Sequence, residues 1–568
     1  MFKKSRRNGI LAGIVILSLA IVTVAGSRFG RSAAPGPSAP SGVKSASQGG
    51  AVVPPPASQA NGKFINGKSY KNDVSPPLRN MKPQKPVPHD REEERENPPL
   101  PIHGHTDQDD PVVQRSFRPS TGSSAPSPSA STAGTGWDGI NQAGGCGNCA
   151  PPDTNGDVGP NHYVQTVNSS FAVYSKAGTR LYPTTAPSAA INTLWQGFGG
   201  ACQANNDGDP VVLYDSIADR WLISQFTASS PYDECVAISQ TADPTGAWYR
   251  YAFQLSTTDF PDYPHLGVWP DGYYMTVNWF TNGQTYAGPR PYVFDRNAML
   301  TGAAATYQTT STALGSSYNP MLPSDLDGAT LPPSGQPNVF VEFGGTLDLY
   351  KFHVDWTAPA NTAFAQSASL TAAGFTQLCP TTRSCIAQPS TSTKLDGLGD
   401  RLMNRLAYRN MGTYQALVAT HSVNAGGTKR SVQAGVRWYE IHNPAGTATI
   451  YQQGTYAPDG NARWLGSVAM DKNGDIGLGY SVSSSSVYPS IRYTGRLAGD
   501  PLNTMTQGET PMFAGSGYQS GVNRWGDYAA MSVDPSDDCT FWFTTEYNNS
   551  GGWGWGTRIG SFKLPGCP

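Results

Sequence analysis

A unit of about 60 residues recurs along most of this chain, and no other feature of the sequence limits the fold as strongly. In each copy a polar, often acidic loop precedes a short apolar strand. An aromatic-rich strand follows after a turn, and a third strand ends at Gly, Pro or Asp. The copies begin near residues 153, 209, 262, 325, 401, 463 and 524. A repeated unit of this kind indicates a repeat architecture.

Each unit has the local composition of strands. Short runs such as 221–224 (WLIS) and 274–277 (YMTV) are rich in aromatic and β-branched residues, which favours strands over helices. Three or four strands per unit match the blades of a β-propeller, whose radial closure removes exposed sheet edges. The sequence therefore predicts an all-β fold with a seven-bladed β-propeller over residues 137–568. Six blades are the alternative if the fourth and fifth units are misread, and a solenoid would need caps and a stricter period.

The chain before residue 137 has a different character. Residues 1–27 place four basic residues before an apolar run from Ile10 to Ala25, which is the pattern of a secretory signal. Cleavage near Ala25 and retention as a membrane anchor are both open, and either predicts a secreted, periplasmic or cell-surface protein. Residues 28–136 contain 18 Pro and no Trp, too little apolar surface to offset chain entropy. We therefore predict a disordered Pro/Ser/Ala-rich linker there.

Eight cysteines, all beyond residue 137, fall into four local pairs. An even number in an exported chain predicts disulfides. The pairs are Cys146/Cys149, Cys202/Cys235, Cys379/Cys385 and Cys539/Cys567. The alternative at 146–149 is a redox or zinc site, but zinc needs a second matching pair and thioredoxin chemistry needs a βαβ context.

The distribution of charge argues against a nucleic-acid partner. Residues 137–568 carry 22 Lys and Arg against 32 Asp and Glu. Affinity for nucleic acid comes mainly from cationic contacts to phosphate, and an acidic body does not supply them. We expect membrane contact only through the N-terminal segment, if that segment is retained.

Several phrases of the repeat resemble a family of uncharacterised exported bacterial proteins. The phrases are PPDTNGDVGPNHYVQTVN (151–168), GDPVVLYDSIADRWLISQF (208–226), PSIRYTGRLAGDP (489–501) and RWGDYAAMSVDP (524–535). The resemblance implies export and a propeller and transfers no catalytic residues. The last unit also loosely resembles the Asp-box turn of sialidases, in Ser532-Val533-Asp534-Pro535 followed by Phe541-Trp542, but it lacks the Gly and the usual spacing.

In a propeller, the loops before the first strands would border one mouth of the central channel. They supply Asp153, Asp157, Asp207, Asp209, Asp262, Asp325 and Asp327 on one side, and Asp396, Asp400, Arg401, Arg405, Arg463, Arg524 and Asp527 on the other. Arg401, Arg405 and Arg463 could hold a carboxylate or sulfate by bidentate contacts. The structural alternative is that these aspartates cap turns and pair with the arginines to close neighbouring blades.

Two strings, DTNGDVG (153–159) and DKNGDIG (471–477), place oxygen side chains at alternate positions of a Gly-containing loop. Such oxygens can converge on Ca²⁺, which takes six to eight oxygen ligands. The alternative is an Asn-Gly hairpin turn. We predict a hairpin at 471–477 and keep Asp153 and Asp157 as candidate calcium ligands.

Enzymatic and purely binding roles are both open. Glycoside hydrolysis needs two carboxylates around the scissile bond, which Asp209 and Asp262 could supply, with Arg524 and Asp527 as further catalytic candidates and His265 as the one histidine in the third mouth loop. Trp553 and Trp555 in the loop GGWGWG could stack on sugar rings because glycine leaves little to bury them. The leading hypothesis is an exported recognition module that binds a polysaccharide or envelope glycan at the channel mouth. The alternatives are a glycoside hydrolase or lyase at the same mouth, or a surface scaffold for protein partners.

Overall fold

The computed structural model describes residues 63–86, 100, 102–117, 132–426, 432–552 and 554–567. These residues form an all-β, propeller-like fold. Residues 1–27, most of the predicted linker and Trp553 lie outside the described residues. In the described part of the chain, no helix has the length and apolarity needed to cross a bilayer.

Four strands precede the repeat: β1 (Phe64–Lys68), β2 (Lys71–Val74), β3 (Val113–Gln114) and β4 (Thr132–Asp138). The repeat itself forms seven meanders of three to five strands. The first meander has β5 (Asn155–Val158), β6 (His162–Val167), β7 (Ser170–Ser175), β8 (Arg180–Tyr182) and β9 (Ala189–Ala190). The second has β10 (Val211–Asp215), β11 (Arg220–Phe226), β12 (Tyr232–Ser239) and β13 (Trp248–Ser256). The third has β14 (Phe260–Trp269), β15 (Gly272–Thr281), β16 (Thr285–Phe294) and β17 (Thr306–Thr310).

The fourth meander has β18 (Met321–Asp327), β19 (Asn338–Phe343), β20 (Leu347–His353) and β21 (Ala363–Leu370), and a small hairpin follows it, β22 (Ser384–Ile386) and β23 (Leu395–Asp396). The fifth has β24 (Leu406–Asn410), β25 (Gln415–Asn424), β26 (Ala434–His442) and β27 (Thr449–Tyr456). The sixth has β28 (Ala462–Met470), β29 (Ile476–Ser483), β30 (Ser490–Arg496) and β31 (Thr510–Phe513). The seventh has β32 (Ala530–Val533), β33 (Phe541–Tyr547) and β34 (Gly556–Lys563). The helices are short: α1 (Gln142–Gly145), α2 (Ala201–Ala204), α3 (Arg296–Thr301) and three 3₁₀ turns at Leu78–Asn80, Ile191–Trp195 and Pro359–Asn361.

The strands within each meander pair mostly antiparallel and in chain order. The first strands of the fourth and fifth meanders, β18 and β24, also pair with each other in parallel, so these two meanders form one sheet. Each first strand contacts the first strand of the next meander: β5 with β10, β10 with β14, and so on through β28 with β32, and β32 contacts β5. The hydrophobic core is divided accordingly into clusters that lie between successive meanders.

The predicted loop of the fourth unit is in fact a strand. Asp325 and Asp327 lie within β18, and Asp157 and Asp262 lie within β5 and β14 rather than in loops. Proline and aspartate are normally uncommon in β-strands. In β18 the two carboxylates face a buried arginine instead of solvent, as described below, and this tertiary contact overrides the local preference. The hairpin predicted at 471–477 is confirmed, since β28 and β29 pair across it.

The prediction of a disordered linker is wrong for the described residues 63–86 and 102–117. Strands β1, β2 and β3 pair with the outer strands β17, β13 and β27, and β4 pairs with β34 as the outermost strand of the seventh meander. Composition alone missed this because these segments bury little apolar surface of their own. They are held by backbone pairing to the outer strands of four meanders. Without these partners, the sheet edges would be open to pairing with other chains.

All four predicted cysteine pairs are confirmed as disulfides: Cys146–Cys149, Cys202–Cys235, Cys379–Cys385 and Cys539–Cys567. Their Cα atoms lie 5.5–5.8 Å apart. No described cysteine is free.

Asp110 should anchor the segment 102–117 to the fifth meander. Its Oδ2 lies 2.7 Å from the Arg437 guanidinium, and both side chains are buried. It also accepts a hydrogen bond of 2.6 Å from the Thr455 hydroxyl. Replacing one partner of a buried ion pair costs about 3–5 kcal/mol. We expect Asp110→Asn to lower the free energy of unfolding by about 3 kcal/mol in denaturant titrations, while the exposed neighbour Asp109→Asn leaves it unchanged.

Candidate functional site

The arginines predicted to hold an anionic ligand are instead engaged with carboxylates of the protein. Arg401 Nε lies 2.7 Å from Asp400 Oδ1, and Arg463 Nε lies 2.6 Å from Glu509 Oε2. Arg405 is paired with both Asp325 and Asp327. Only Arg405 pairs with aspartates of a neighbouring meander, as the structural alternative expects. These contacts do not support a carboxylate- or sulfate-binding mouth, and ligand binding by the three arginines stays a prediction. Arg463 also lies apart from the other two, between the fifth and sixth meanders beside Tyr456.

The predicted mouth residues divide into two groups at opposite ends of the first strands. At the amino ends lies a buried group that we call the amino-end cluster: Asp209, Tyr263, His265, Arg401, Arg524, Asp527 and Tyr528. The Tyr263 hydroxyl donates a 2.8 Å hydrogen bond to the Asp527 carbonyl. The Tyr528 hydroxyl lies 3.2 Å from Asp209 Oδ2, and the Arg401 guanidinium lies 4.6 Å from the centre of the Tyr263 ring. These contacts join the second, third, fifth and seventh meanders.

The four predicted catalytic residues are thus placed as follows. Arg524 NH2 lies 2.6 Å from Asp527 Oδ2, and its NH1 lies 3.2 Å from Asp396 Oδ2. Asp209 is beside Tyr528. Burial raises the pKa of Tyr528, Asp209, Tyr263 and Asp153 raise it further, and the half-buried Asp262 makes the smallest of these contributions. Arg524, Asp209 and Asp527 are at most 7% exposed, so they present little surface to a polymer. Burial lowers the pKa of His265 to about 3, which keeps the imidazole neutral at physiological pH. A catalytic role for these residues stays a prediction.

Left-handed backbone recurs where the first strands begin. Asp153 (φ 49°), Asp209 (φ 38°), Tyr263 (φ 53°), Leu465 (φ 53°) and Asp527 (φ 62°) all adopt it in five different meanders. For residues other than glycine this conformation costs of order 1 kcal/mol, although Asp tolerates it better than most. Its repetition at one position of the unit marks a built feature of the repeat.

At the carboxyl ends of the first strands lies an open pocket of about 480 Å³, which we call the axial pocket. The first, second, fourth, fifth and seventh meanders all contribute to its walls. Its charged residues are Asp157, Asp219, Asp325, Asp327, Arg405 and Asp538. Tyr214, Leu326 and Val533 add apolar surface. The volume falls within the roughly 300–1,000 Å³ of small-molecule sites.

Arg405 forms the floor of this pocket. Its Nε lies 2.6 Å from Asp325 Oδ2 and its NH2 lies 2.6 Å from Asp327 Oδ1. Its NH1 donates a 3.1 Å hydrogen bond to the carbonyl of Met531 in the seventh meander. One side chain of the fifth meander therefore connects the fourth and seventh meanders across the centre.

Asp157 is the most perturbed carboxyl group of the axial pocket. Burial raises its pKa to about 7, and Arg405 and the Tyr214 amide oppose this rise. Its two oxygens accept 2.7 Å hydrogen bonds from the amides of Val158 and Tyr214. The second of these bonds ties the first meander to the second. A carboxyl group that titrates near neutrality inside a pocket is a candidate for acid–base chemistry or ligand-linked protonation.

Asp153 and Asp157, the predicted calcium ligands of the loop 153–159, lie at opposite ends of β5 (Asn155–Val158). The Asp153 amide donates to Gly526 at the amino ends, whereas Asp157 faces the axial pocket. Among the described residues, only Asp471, Cys539 and Cys567 gather three possible metal-binding side chains, and these two cysteines are in disulfides. Calcium binding by Asp153 and Asp157 stays a prediction.

Trp555 does not form an exposed stacking surface. It is 2% exposed, and its indole Nε1 donates a 2.9 Å hydrogen bond to the Cys149 carbonyl. The flanking glycines had suggested that the Trp555 ring is exposed, and this prediction is wrong because the ring packs in the core cluster between the first and seventh meanders. Trp553 lies outside the described residues.

Sequence reasoning missed Tyr214, Asp219 and Asp538 of the axial pocket. The search followed the loops before the first strands, whereas these residues lie at or after the ends of β10 and β32. The turns DSIAD (215–219) and DPSDD (534–538) carried an equivalent acidic signal. The string at 62–69, GKFINGKS, has the spacing of a phosphate-binding loop, but Phe64–Lys68 form an edge strand that is followed by β2 and not by a helix.

Arg405→Lys should destabilise the protein strongly. A lysine ammonium cannot contact Asp325, Asp327 and the Met531 carbonyl in the fork geometry of a guanidinium. We expect a loss of about 3 kcal/mol or more in the free energy of unfolding, measured by denaturant titration. The matched control is Arg220→Lys, a half-buried arginine whose guanidinium donates hydrogen bonds to the nearby Ala218 and Asp219 carbonyls. An equal, small effect of both changes would contradict the role given to Arg405.

Asp157 should make stability depend on pH in an unusual direction. Its folded pKa of about 7 lies above the ordinary aspartate value of 3.8, so the folded state holds the proton more tightly. Its contribution is therefore present at acidic pH and is lost as the pH rises from about 4 to about 7. We expect Asp157→Asn to remove this loss, so that its melting temperature gains several degrees on the wild type between pH 4.5 and 8. Parallel melting curves of the two proteins across this range would contradict the assignment.

Comparisons with known proteins add little. No protein-family model and no curated protein matches the chain. Among solved structures, the chain is similar to an ulvan lyase of a new polysaccharide lyase family, PL25, bound to GlcA(1-4)Rha3S. The identity is 10%, over 75% of this chain and 81% of that chain, with a TM-score of 0.25. It is also similar to a protein of unknown function from Dyadobacter fermentans DSM 18053, at 9% identity over 81% of this chain and 99% of that chain, with a TM-score of 0.19. Scores this low carry no argument about fold or activity.

Proposed function

We propose that this chain is a seven-bladed β-propeller that binds a neutral glycan in the axial pocket. The observation that carries the proposal is the pocket itself: an open cavity of about 480 Å³ to which five meanders contribute carboxylates, an aromatic ring and aliphatic side chains. Hydroxyl-rich ligands suit such walls, because carboxylates accept their hydrogen bonds and apolar side chains cover the carbon faces of the ring.

The propeller itself is supported by the order of contacts. Each first strand contacts the next, and β32 of the seventh meander contacts β5 of the first. A cluster of Ile140, Tyr163, Trp542 and Ile559 packs between these two meanders. Strand β4, from the chain before the repeat, completes the seventh sheet. Such a strand borrowed from the other end of the chain is a means of closing a ring of blades.

The charge of the axial pocket favours a neutral ligand over an anionic one. Arg405 is neutralised by Asp325 and Asp327, and the nearby Arg409 pairs with Asp538 at 2.6 Å. Asp219 adds a further carboxylate. A uronate or sulfate group would meet like charges in a partly dehydrated site, which costs free energy.

A glycoside hydrolase at the same pocket is the second candidate. It is favoured by one observation, the pKa of about 7 at Asp157, because a hydrolase needs one carboxyl group that holds its proton near neutrality. Asp325 is close enough to raise this pKa and would be the second carboxylate. Binding remains the leading proposal, since both oxygens of Asp157 already accept backbone hydrogen bonds.

We further infer that the protein is exported. Four disulfides are typical of proteins that fold in an oxidising compartment. The basic and apolar residues 1–27 would supply the signal or anchor.

Asp219→Asn should separate ligand binding from folding. Asp219 is partly exposed, accepts a hydrogen bond from the Tyr214 hydroxyl, and has φ 56°, a conformation that asparagine also tolerates. We expect the oxidised full chain to be retained on at least one of four immobilised neutral polysaccharides: β-glucan, mannan, xylan and arabinogalactan. Asp219→Asn should weaken this retention about tenfold or more, which corresponds to about 1.4 kcal/mol.

The matched control is Asp109→Asn, an exposed carboxylate away from the axial pocket, which should bind like the wild type. Release of new reducing ends that stops in Asp157→Asn would favour the hydrolase. Preference for alginate over all neutral polymers would contradict the charge argument. Retention of the folded protein on no polymer would overturn the glycan proposal and favour a protein partner.

A further inference from the structure

A second concave site lies where residues 102–117, which we call the strap, cross the fourth meander. This strap pocket has a volume of about 460 Å³. One wall is His103 and Gly104 of the strap. The other is formed by residues of the fourth meander and the turn before it, among them Tyr318, Asp348 and Gln366.

Glycines bring the strap into contact with the meander. A Cβ atom built on Gly345 would lie 2.1 Å from the Gly104 carbonyl oxygen, and one built on Gly344 would lie 2.7 Å from the His103 carbonyl oxygen. Only glycine permits this backbone approach. Asn319 fastens the same point, since its Oδ1 accepts a 2.7 Å hydrogen bond from the His103 amide.

The strap is held firmly along its length. The His105 ring stacks on Phe375 with centroids 4.0 Å apart, and Asp107 accepts a 2.9 Å hydrogen bond from the Gln377 amide. Farther on, Asp110 makes the buried pair with Arg437. The wall that His103 and Gly104 give to the pocket is therefore preorganised, which reduces the entropy lost when a ligand binds.

The floor of the pocket is polar, and its carboxylates accept hydrogen bonds from neighbouring residues. Glu342 accepts hydrogen bonds of 2.7 Å from the Asn319 amide and 2.8 Å from the Tyr350 hydroxyl. Asp348 accepts one of 2.8 Å from the Thr346 hydroxyl. Asp348, Gln366 and Tyr318 are each partly exposed at the rim, where they can reach a ligand.

We propose that the strap pocket is a second glycan-binding site, which takes one neutral sugar unit between the strap and the fourth meander. The rim supplies a carboxylate acceptor, an amide and a tyrosine ring, the three kinds of group that orient and cover a pyranose. Among the described residues that line the pocket there is no lysine or arginine, and Glu342 and Asp348 give it a negative charge. An anionic sugar would therefore be repelled here, as in the axial pocket.

This inference takes its class of ligand, a neutral glycan, from the proposed function. The site itself, the strap pocket, is independent of that proposal. Two sites on one rigid body would let a polymer bind with higher avidity than either site alone. The second site also gives the strap a role in ligand binding, which the Pro-rich composition of residues 28–136 did not indicate.

Hydrogen–deuterium exchange of the full chain with soluble oligosaccharides tests the two sites separately. The probes are hexasaccharides of β-1,3-glucan, β-1,4-glucan, mannan and xylan. We expect at least one of them to slow exchange at residues 102–105 and 346–350, as well as at 214–219. Asp348→Asn should remove the slowing at the strap pocket only, and Asp219→Asn should remove it at the axial pocket only.

Gly345→Ala tests the architecture of the site. Its added methyl group should displace the strap, speed exchange at 102–105 without sugar, and reduce binding at the strap pocket about tenfold. Gly460→Ala is the matched control, because a Cβ there meets nothing within 4 Å and its backbone is not left-handed.

The outcomes distinguish this inference from the proposed function. Slowing at the strap pocket alone would support the second site and overturn the axial proposal. Slowing at 214–219 alone, or slowing at the strap pocket that persists in Asp348→Asn, would overturn the inference. Slowing at neither site with any of the four probes would overturn both.

Discussion

The buried contact of Arg405 with Asp325 and Asp327 is the interaction on which the centre of this molecule depends. The first strands of successive meanders contact one another, and charged side chains, among them Arg405, Asp325 and Asp327, are buried where they meet. A planar guanidinium fills the space with five donors, and it contacts the fourth meander and the Met531 carbonyl of the seventh. The two carboxylates compensate its charge. The same guanidinium lines the axial pocket, so Arg405 contributes both to the stability of the fold and to the shape of the site.

The two ends of the first strands differ in how far their polar side chains are exposed. At the amino ends, tyrosines and arginines interlock and leave little exposed surface; Tyr263 reaches the backbone of Asp527, and Arg401 covers the Tyr263 ring. At the carboxyl ends the turns after the first strands diverge and leave a cavity. Burial of Asp157 next to that cavity, rather than any neighbouring acid, is the main cause of its raised pKa.

Sequence reasoning predicted the all-β class, the repeated units and the four disulfides because these depend on local signals: alternation, turn residues and short cysteine spacings. It failed where long-range contacts decide. Asp325 looked like part of a loop because its partner Arg405 lies 80 residues away in the chain. Trp555 looked exposed because its acceptor, Cys149, belongs to the far end of the repeat. The strands β1 to β4 looked disordered because a strand that only completes another sheet needs no hydrophobic pattern of its own. The axial pocket was missed for a related reason, since no single unit contains enough of it to be recognised.

The outermost strand of the seventh sheet has a consequence for the order in which the protein can fold. Trp137 in β4 pairs with Ile559 in β34, so the two ends of the repeat meet only after nearly the whole chain is present. Contacts between residues this far apart in sequence are slow to form, because a long loop must close before they contribute. In a chain that is synthesised from its N-terminus, β4 therefore waits for its partner β34 until nearly all other strands have been made. The last strand of the chain, β34, then pairs with a strand that was synthesised more than 400 residues earlier.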